Sequence, residues 1–271
     1  MNEPCMFSLY SGSTGNAFVL SSDAGAVLID AGKSAKQLSL ALSKANVSPE
    51  KIGAILLTHE HNDHTAALSV FLKKYPIPVH LPMGCVYKLE GDSAIAPLLH
   101  PHPPKYTEDI CGMRVTSFPT PHDSRASVGY RIEIPCNGRI FKLGYATDIG
   151  YVSRDVEEGL LGCEFVVLES NHDPDMLQSG PYPYVLKQRI ASRRGHLSNG
   201  DSALFAARLC DAGTRSLMLA HLSAENNEPT IAYDECFAAV SDKQVTIAVA
   251  QPDGITPMPP LQATEEEILW R

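Results

Sequence analysis

Long apolar runs, a basic surplus, paired cysteines and repeats are all missing from this sequence, and each absence narrows what the chain can be. No stretch approaches the roughly 18 apolar residues that a membrane-spanning helix needs, so a water-soluble protein with no membrane partner is expected. Met1 to Tyr10 carry neither a basic n-region nor an apolar h-region, which argues against a secretory signal and for a cytoplasmic protein. The seven cysteines (Cys5, Cys85, Cys111, Cys136, Cys163, Cys210 and Cys236) are an odd, scattered set without a C-x-x-C pair. They read as reduced thiols, not as a zinc knuckle or a disulfide framework. A net charge of -9 offers no global basic field for nucleic acid, so a polyanionic substrate has to be drawn by metals and local arginines. No repeat, low-complexity tract or linker forces a second domain. A hydrophobic fraction of 44% and a mean hydropathy of -0.08 suit one large core spanning residues 1–271.

What is present is an alternation of short β-rich runs and helical patterns. Strands are expected at Phe18–Leu20, Val27–Ile29, Ala54–Leu57, Val128–Ile132, Arg139–Leu143, Phe165–Leu168, Ser216–Ala220 and Val245–Val249. Helices are expected near Ala35–Lys44, His64–Lys74, Asp155–Leu161, Tyr184–Ala191, Ser198–Cys210 and Thr230–Val240. This alternation predicts an α/β protein with helices covering sheets and with its site on the loops where strands end. The proline-rich segment Leu98–Pro104 reads as a surface connection. Pro252–Arg271, with its acidic Glu265–Glu267 patch, reads as a loosely held tail.

The densest chemistry lies in Thr58-His-Glu-His-Asn-Asp-His64, between a strand and a helix. His59 and His61, at i and i+2, can aim two imidazoles at one metal, while Asp63 and His64 reach a neighbouring one. A merely solvated polar loop would be the better reading of one histidine, but not of four ligand types within six residues.

This motif resembles the H-x-H-x-D-H signature of the metallo-β-lactamase superfamily, and further motifs follow in the order that family shows: Asp30 in Leu28-Ile-Asp-Ala-Gly32, then His122, Asp148 in Tyr145-Ala-Thr-Asp-Ile149, and His221 in Leu219-Ala-His-Leu222. The resemblance implies a four-layer αββα sandwich holding two divalent metal ions (zinc, manganese or iron). It puts His59, His61 and His122 on the first metal and Asp63, His64 and His221 on the second, with Asp148 bridging. It makes Asp30 a supporting group that orients a ligand. From spacing alone Asp30 reads equally well as a carboxylate capping a turn, and His122, Asp148 or His221 taken singly as structural residues.

Four more segments resemble one subgroup, the YycJ/WalJ-like metallo-hydrolases: Ser11-Gly-Ser-Thr-Gly-Asn16, Leu168-Glu-Ser-Asn-His-Asp173, Gly195-His-Leu-Ser-Asn199 and His221-Leu-Ser-Ala-Glu-Asn-Asn-Glu-Pro229. The segment after His122 departs from it, reading Asp-Ser-Arg-Ala-Ser-Val-Gly where an Ala and a Pro are expected. The subgroup implies 5′-exonuclease-like action on DNA, so a phosphodiester in DNA or RNA is the expected substrate. An aspartate at the bridging position argues against β-lactam hydrolysis, since true lactamases resemble one another in using a cysteine or extra histidine there.

Around the metals, Ser13, Asn16, Asn171, His172, Arg193, Arg194, Ser198 and Asn199 are candidates for substrate binding, with Glu169 at a strand exit as a supporting group. Ser198 reads as the N-cap of a helix whose free N–H groups suit a phosphate. The nearby Lys187, Arg189, Arg193 and Arg194 read either as phosphate contacts or as a solvated helix face. His196 is the first candidate for general acid or phosphate clamp, and Asp63 the alternative proton shuttle. Two other functions stay open: hydrolysis of a small thioester, lactone, β-lactam or cyclic phosphodiester, and a non-catalytic metal-binding module. The second is disfavoured because seven ligands over two metals leave open positions. His80, His100 and His102 read as surface or turn histidines.

Overall fold

The computed structural model describes residues 4–23, 25–259 and 261. The chain opens with β1 (Cys5–Tyr10), β2 (Ala17–Ser22) and β3 (Gly25–Ile29), then α1 (Ala35–Lys44), β4 (Ile52–Leu56), α2 (Asn62–Thr65), α3 (Leu68–Lys74), β5 (Val79–Pro82) and β6 (Leu99–His102). There follow β7 (Thr107–Ile110), β8 (Met113–Pro119), β9 (Val128–Cys136), β10 (Arg139–Ala146), α4 (Arg154–Leu160), β11 (Phe165–Glu169), α5 (Pro174–Ser179), α6 (Tyr184–Ile190), α7 (Asn199–Asp211), β12 (Ser216–Ala220), α8 (Pro229–Val240), β13 (Thr246–Val249) and β14 (Thr256–Pro257). One sheet runs β14-β1-β2-β3-β4-β5-β6, the other β13-β12-β11-β10-β9-β8-β7.

Side-chain alternation decides how the layers stack. The strands of the first sheet send Met6, Phe18, Leu20, Val27 and Ala54 inward, to meet Tyr130, Ile132, Phe141, Phe165 and Met218 of the second. Phe18 and Tyr145 touch edge to face across this layer at 5.0 Å, the arrangement aromatic quadrupoles prefer. The opposite residues of the first sheet, such as Val19, Leu28 and Ile55, pack under Leu38 and Leu42 of α1 and Phe71 of α3. Those of the second pack under Val156 and Leu160 of α4, Phe205 and Leu209 of α7 and Ala232 of α8. The result is the four-layer αββα sandwich. The parallel strands β11 and β12 are buried along their whole length, as strands covered on both faces are. Among the described residues no helix is long and apolar enough to cross a membrane, and no disulfide is formed.

Each of the eight expected strands coincides with an observed one, Ala54–Leu57 and Val245–Val249 overrunning theirs by one residue, while β1, β5, β6, β7, β8 and β14 and the helix α5 add to them. The expected helix His64–Lys74 is split. His64 O accepts from Ala31 N (2.8 Å) and Ala67 N donates to Ala31 O (2.9 Å), so the chain gives up helical continuity there to bond with the exit of β3. Leu98–Pro104 is not a plain connection: Leu99–His102 is strand β6, pairing with β5, and Pro101 is tolerated because this is a sheet edge. Pro252 onward is less loose than expected, since Thr256–Pro257 pair with β1 and Met258 and Leu261 pack on the central core. The acidic patch Glu265–Glu267 lies outside the described residues.

Candidate metal centre

Strand exits of both sheets meet at one end of the sandwich. β3 delivers Asp30 and β4 the loop Thr58–His64. β10 leads to Asp148, β11 ends in Glu169, β12 delivers His221, and the turn between β8 and β9 carries His122. Asp30, Asp148 and His221 all adopt left-handed backbone, with φ of 59°, 57° and 59°. This conformation is uncommon for residues with a Cβ and turns each side chain off its strand direction.

The donor atoms gather into overlapping groups. The ligand atoms of His59, His61 and His122 lie within 4.8 Å of one another, as do those of Asp63, His64 and His221, and those of His59, His64 and Asp148. Asp148 stands between the sets: its Oδ2 is 3.4 Å from His64 Nε2, and its Oδ1 is 3.6 Å from His122 Nε2 and 3.5 Å from His221 Nε2. Asp63 Oδ2 lies 3.3 Å from His64 Nε2 and 3.5 Å from His221 Nε2.

Supporting groups fix the imidazoles by their outer nitrogens. Nδ1 of His64 faces Asp30 Oδ2 at 2.8 Å, Nδ1 of His221 faces Glu169 Oε1 at 3.0 Å, and Nδ1 of His122 faces Gly195 O at 3.2 Å. With each Nδ1–H donated outward, the lone pair on Nε2 is directed inward, which is how proteins prepare a histidine for a metal. His59 Nε2, His221 Nε2 and Asp148 Oδ2 are buried with no hydrogen-bond partner. Orphaned polar atoms of this kind are costly in a protein interior, and cations satisfy all three at once. The residues fit a metal centre.

In the metal-free chain the electrostatics divide these rings. Burial is the largest influence on His59 and holds it neutral, well below its ordinary value, and His122 is lowered in the same way. For His221 burial also opposes charge, but Asp148, Asp63 and Glu169 outweigh it and raise the ring to about 10. Burial works against ionisation of Asp148 too, yet the surrounding histidines hold it well below the usual carboxylate range.

The supporting residues are themselves anchored. Asp30 accepts from Thr58 N at 2.8 Å, and Glu169 accepts from the backbone N–H of Asp148 (3.2 Å), Ile149 (2.9 Å) and Leu197 (2.9 Å). Asn16 places its amide 3.4 Å from Asp63 Oδ2 and 3.2 Å from His64 Nε2. Gly32 closes that corner: a Cβ there would meet Asp63 O at 1.9 Å and Asn16 N at 2.6 Å, so no larger residue fits. Ser11, which opens the glycine-rich motif but was given no role of its own, accepts from His221 N at 2.8 Å.

Several residues expected at the substrate have other employment. Asn171 donates to His221 O at 2.7 Å and so positions that histidine. Asn199 is buried against Ser170 and Asn227. Ser198 caps α7, accepting from Asp201 N, and Asp201 lies in the first turn. The positive end of that helix is therefore partly compensated by its own acidic residue. Ser13 is exposed on its turn.

Other expected residues do border the centre. His196 lies with Nδ1 2.8 Å from Glu169 Oε1 and its ring 5.3 Å from that of His122 and 5.1 Å from that of His221. His172 is buried with Nδ1 unpartnered. It lines a hollow with Tyr184 and Lys187. A groove of about 510 Å³ abuts His122 and is lined by Pro121, Arg125, Tyr151, Arg193 and Arg194. Arg193 stacks over Tyr151 at 3.9 Å and Arg125 over Tyr87 at 3.8 Å, while Arg194 donates to His122 O. Arg125 belongs to the segment that departs from the subgroup pattern. Asp123 was missed as well: its Oδ1 is 3.4 Å from His122 Nε2, and its place next to His122 was the only available signal.

Comparison with known proteins agrees with this geometry. Residues 26–222 match the family described as Beta-lactamase superfamily domain. The chain is 32% identical over 260 residues to exodeoxyribonuclease WalJ of Streptococcus pneumoniae serotype 2 strain D39, covering 92% of this chain and 95% of that one. It is 35% identical over 233 residues to exodeoxyribonuclease YycJ of Bacillus anthracis, covering 83% and 84%. In fold it resembles the metallo-beta-lactamase fold protein YhfI from Bacillus subtilis, with a TM-score of 0.70, 17% identity, and coverage of 94% of this chain and all of that one. Fold, ligand geometry and sequence together establish that the chain belongs to the beta-lactamase superfamily, in its metallo-β-lactamase-fold branch.

Proposed function

We propose that this chain is a cytoplasmic dinuclear-metal phosphodiesterase that removes nucleotides from DNA ends as an exodeoxyribonuclease. The observation that carries this reading is the junction of the seven-ligand cluster with the arginine-lined groove beside His122. That junction puts phosphate-neutralising groups next to metal-ligating ones. The resemblance to WalJ and YycJ over most of the chain supports the choice of DNA.

His59, His61 and His122 would hold one cation and Asp63, His64 and His221 the other, with Asp148 between them; zinc, manganese and iron all suit this donor set. Bound there, the cations would supply Lewis acidity and make a nucleophile available near neutral pH. The chain's own residues do the rest. Asp63, with 23% of its side chain exposed, is the carboxylate that can take a proton from the attacking water. Arg125, Arg193 and Arg194 neutralise and hold the phosphates of the strand that flank the scissile one. His196, with Nδ1 against Glu169, has Nε2 left to protonate the leaving oxygen.

The test is a screen of the metal-loaded chain on end-labelled DNA and RNA, nitrocefin and a thioester. Release of mononucleotides from DNA ends is expected. Turnover of nitrocefin or the thioester with intact DNA would reassign the chain to the small-molecule hydrolases. An unchanged phosphodiester turnover in His196→Ala would remove that residue from the mechanism while leaving the rest standing.

A further inference from the structure

A second group of histidines lies away from the catalytic end, where the first sheet finishes in an edge. His80 on β5 and His100 on β6 are register partners, and His102 follows two residues after His100. Register partners and i, i+2 neighbours share one face of a sheet, so all three imidazoles stand on the same side. Val79 and Leu81 point to the helix-covered face, which leaves the histidines on the other. His80 Nδ1 is 2.9 Å from His102 Nε2. The rings of His100 and His102 each lie 5.1 Å from that of His80, and Tyr106 stacks on His102 at 3.9 Å. Glu108 on β7 is close enough to act on His102 electrostatically.

We propose that His80, His100 and His102 form a metal site separate from the catalytic centre, taking a borderline divalent cation of the zinc, copper or nickel kind. Two ring nitrogens already stand at nearly the separation of two ligands on one ion, and the exposed His100 supplies a third by rotating its side chain. Three imidazoles with no carboxylate among them select such cations over magnesium, calcium or manganese. Burial first, and then the neighbouring imidazoles, lower His80 to about 4; burial also lowers His102. Both shifts favour the neutral form of His80 and His102, the form that ligates. A bound ion would tie edge strand β6 to β5 and protect an edge otherwise open to pairing with another chain.

The experiment compares zinc content at saturation, by native mass spectrometry, between the full chain and a His80→Asn/His102→Asn double variant. The two amides can still bond to each other, so the edge is kept while the ligands are lost. The variant should hold one zinc fewer per chain, with DNA hydrolysis unchanged; the difference does not depend on how many ions the catalytic centre takes. Equal zinc content in the two overturns the proposal. Should the double variant fold poorly, His100→Ala replaces it, an exposed position where the affinity of the extra zinc should fall at least about tenfold, the loss expected even from disturbing a group that only supports a ligand. An unchanged affinity there overturns the proposal equally.

Discussion

Oε1 of Glu169 lies 3.0 Å from Nδ1 of His221 and is wholly buried beneath it. The same oxygen faces His196 at 2.8 Å, so a single carboxylate orients both a ring proposed to hold metal and the proposed proton donor. Glu169→Gln keeps the shape but removes the charge and offers an N–H where an acceptor is needed. Metal affinity is expected to fall by roughly 10–100-fold, read by titration with a chromogenic chelator. An affinity equal to that of the parent would mean that His221 needs no such support.

Charge reversal in the groove separates substrate binding from chemistry. With Arg125→Glu and Arg193→Glu together, KM for a DNA oligonucleotide should rise by ten-fold or more at physiological salt, since each lost phosphate contact also lowers the dependence on log[salt] by about one. Turnover of bis-p-nitrophenyl phosphate, too small to span the groove, should change little. Equal losses on both substrates would place these arginines in the chemical step.

Close approach at Gly32 makes a stability prediction. Because a Cβ there would overlap Asp63 O, Gly32→Ala has to push the loop carrying Asp63 and His64. A loss of about 1–3 kcal/mol is expected from such overpacking, read by urea unfolding, together with reduced metal content. Normal metal content with the full loss of stability would show that the loop moves without disturbing its ligands.

Acid and base act on the metal-free chain from opposite sides. His221 is raised from 6.5 to about 10 in the folded state, so its contribution to stability is complete below about pH 6.5 and is lost as pH rises through about 10. Glu169 is lowered from 4.5 to about 2, because His196 and His221 overcome its burial. Its contribution is present above about pH 4.5 and is lost as pH falls through about 2. Stability against urea should thus be highest between about pH 4.5 and 6.5 in the presence of a chelator. Added zinc displaces the proton of His221, so the alkaline decline should shrink or vanish; a decline of equal size with and without zinc would contradict His221 as a ligand.

Much of this architecture was legible in the residues because the signals were local. Thr58–His64 compresses four donors into one loop, and runs such as Phe165–Leu168 are too uniformly apolar to be anything but covered strands. Leu99–His102 was not legible as a strand, since its proline and two histidines lack apolar alternation and its pairing with β5 is a tertiary fact. The fate of Asn171 and Asn199 was hidden for a related reason. A polar residue at a strand exit or a helix start looks the same in sequence whether it meets substrate or holds a neighbouring group, and only the position of His221 O and Asn227 decides. Tyr87, Arg125, Tyr151 and Arg193 come from separate segments, so their pairing into two cation–aromatic stacks left no trace in any one of them.

The left-handed corners at Asp30, Asp148 and His221 set heat tolerance and chemistry at odds. Each corner is worth about 1–3 kcal/mol of discomfort, which glycine would relieve. Yet glycine there would delete the very side chain the corner exists to aim. Selection for ruggedness alone would therefore erode this end of the sandwich first, and any hardier descendant must find its reserves elsewhere, in the layer where Phe18 meets Tyr145.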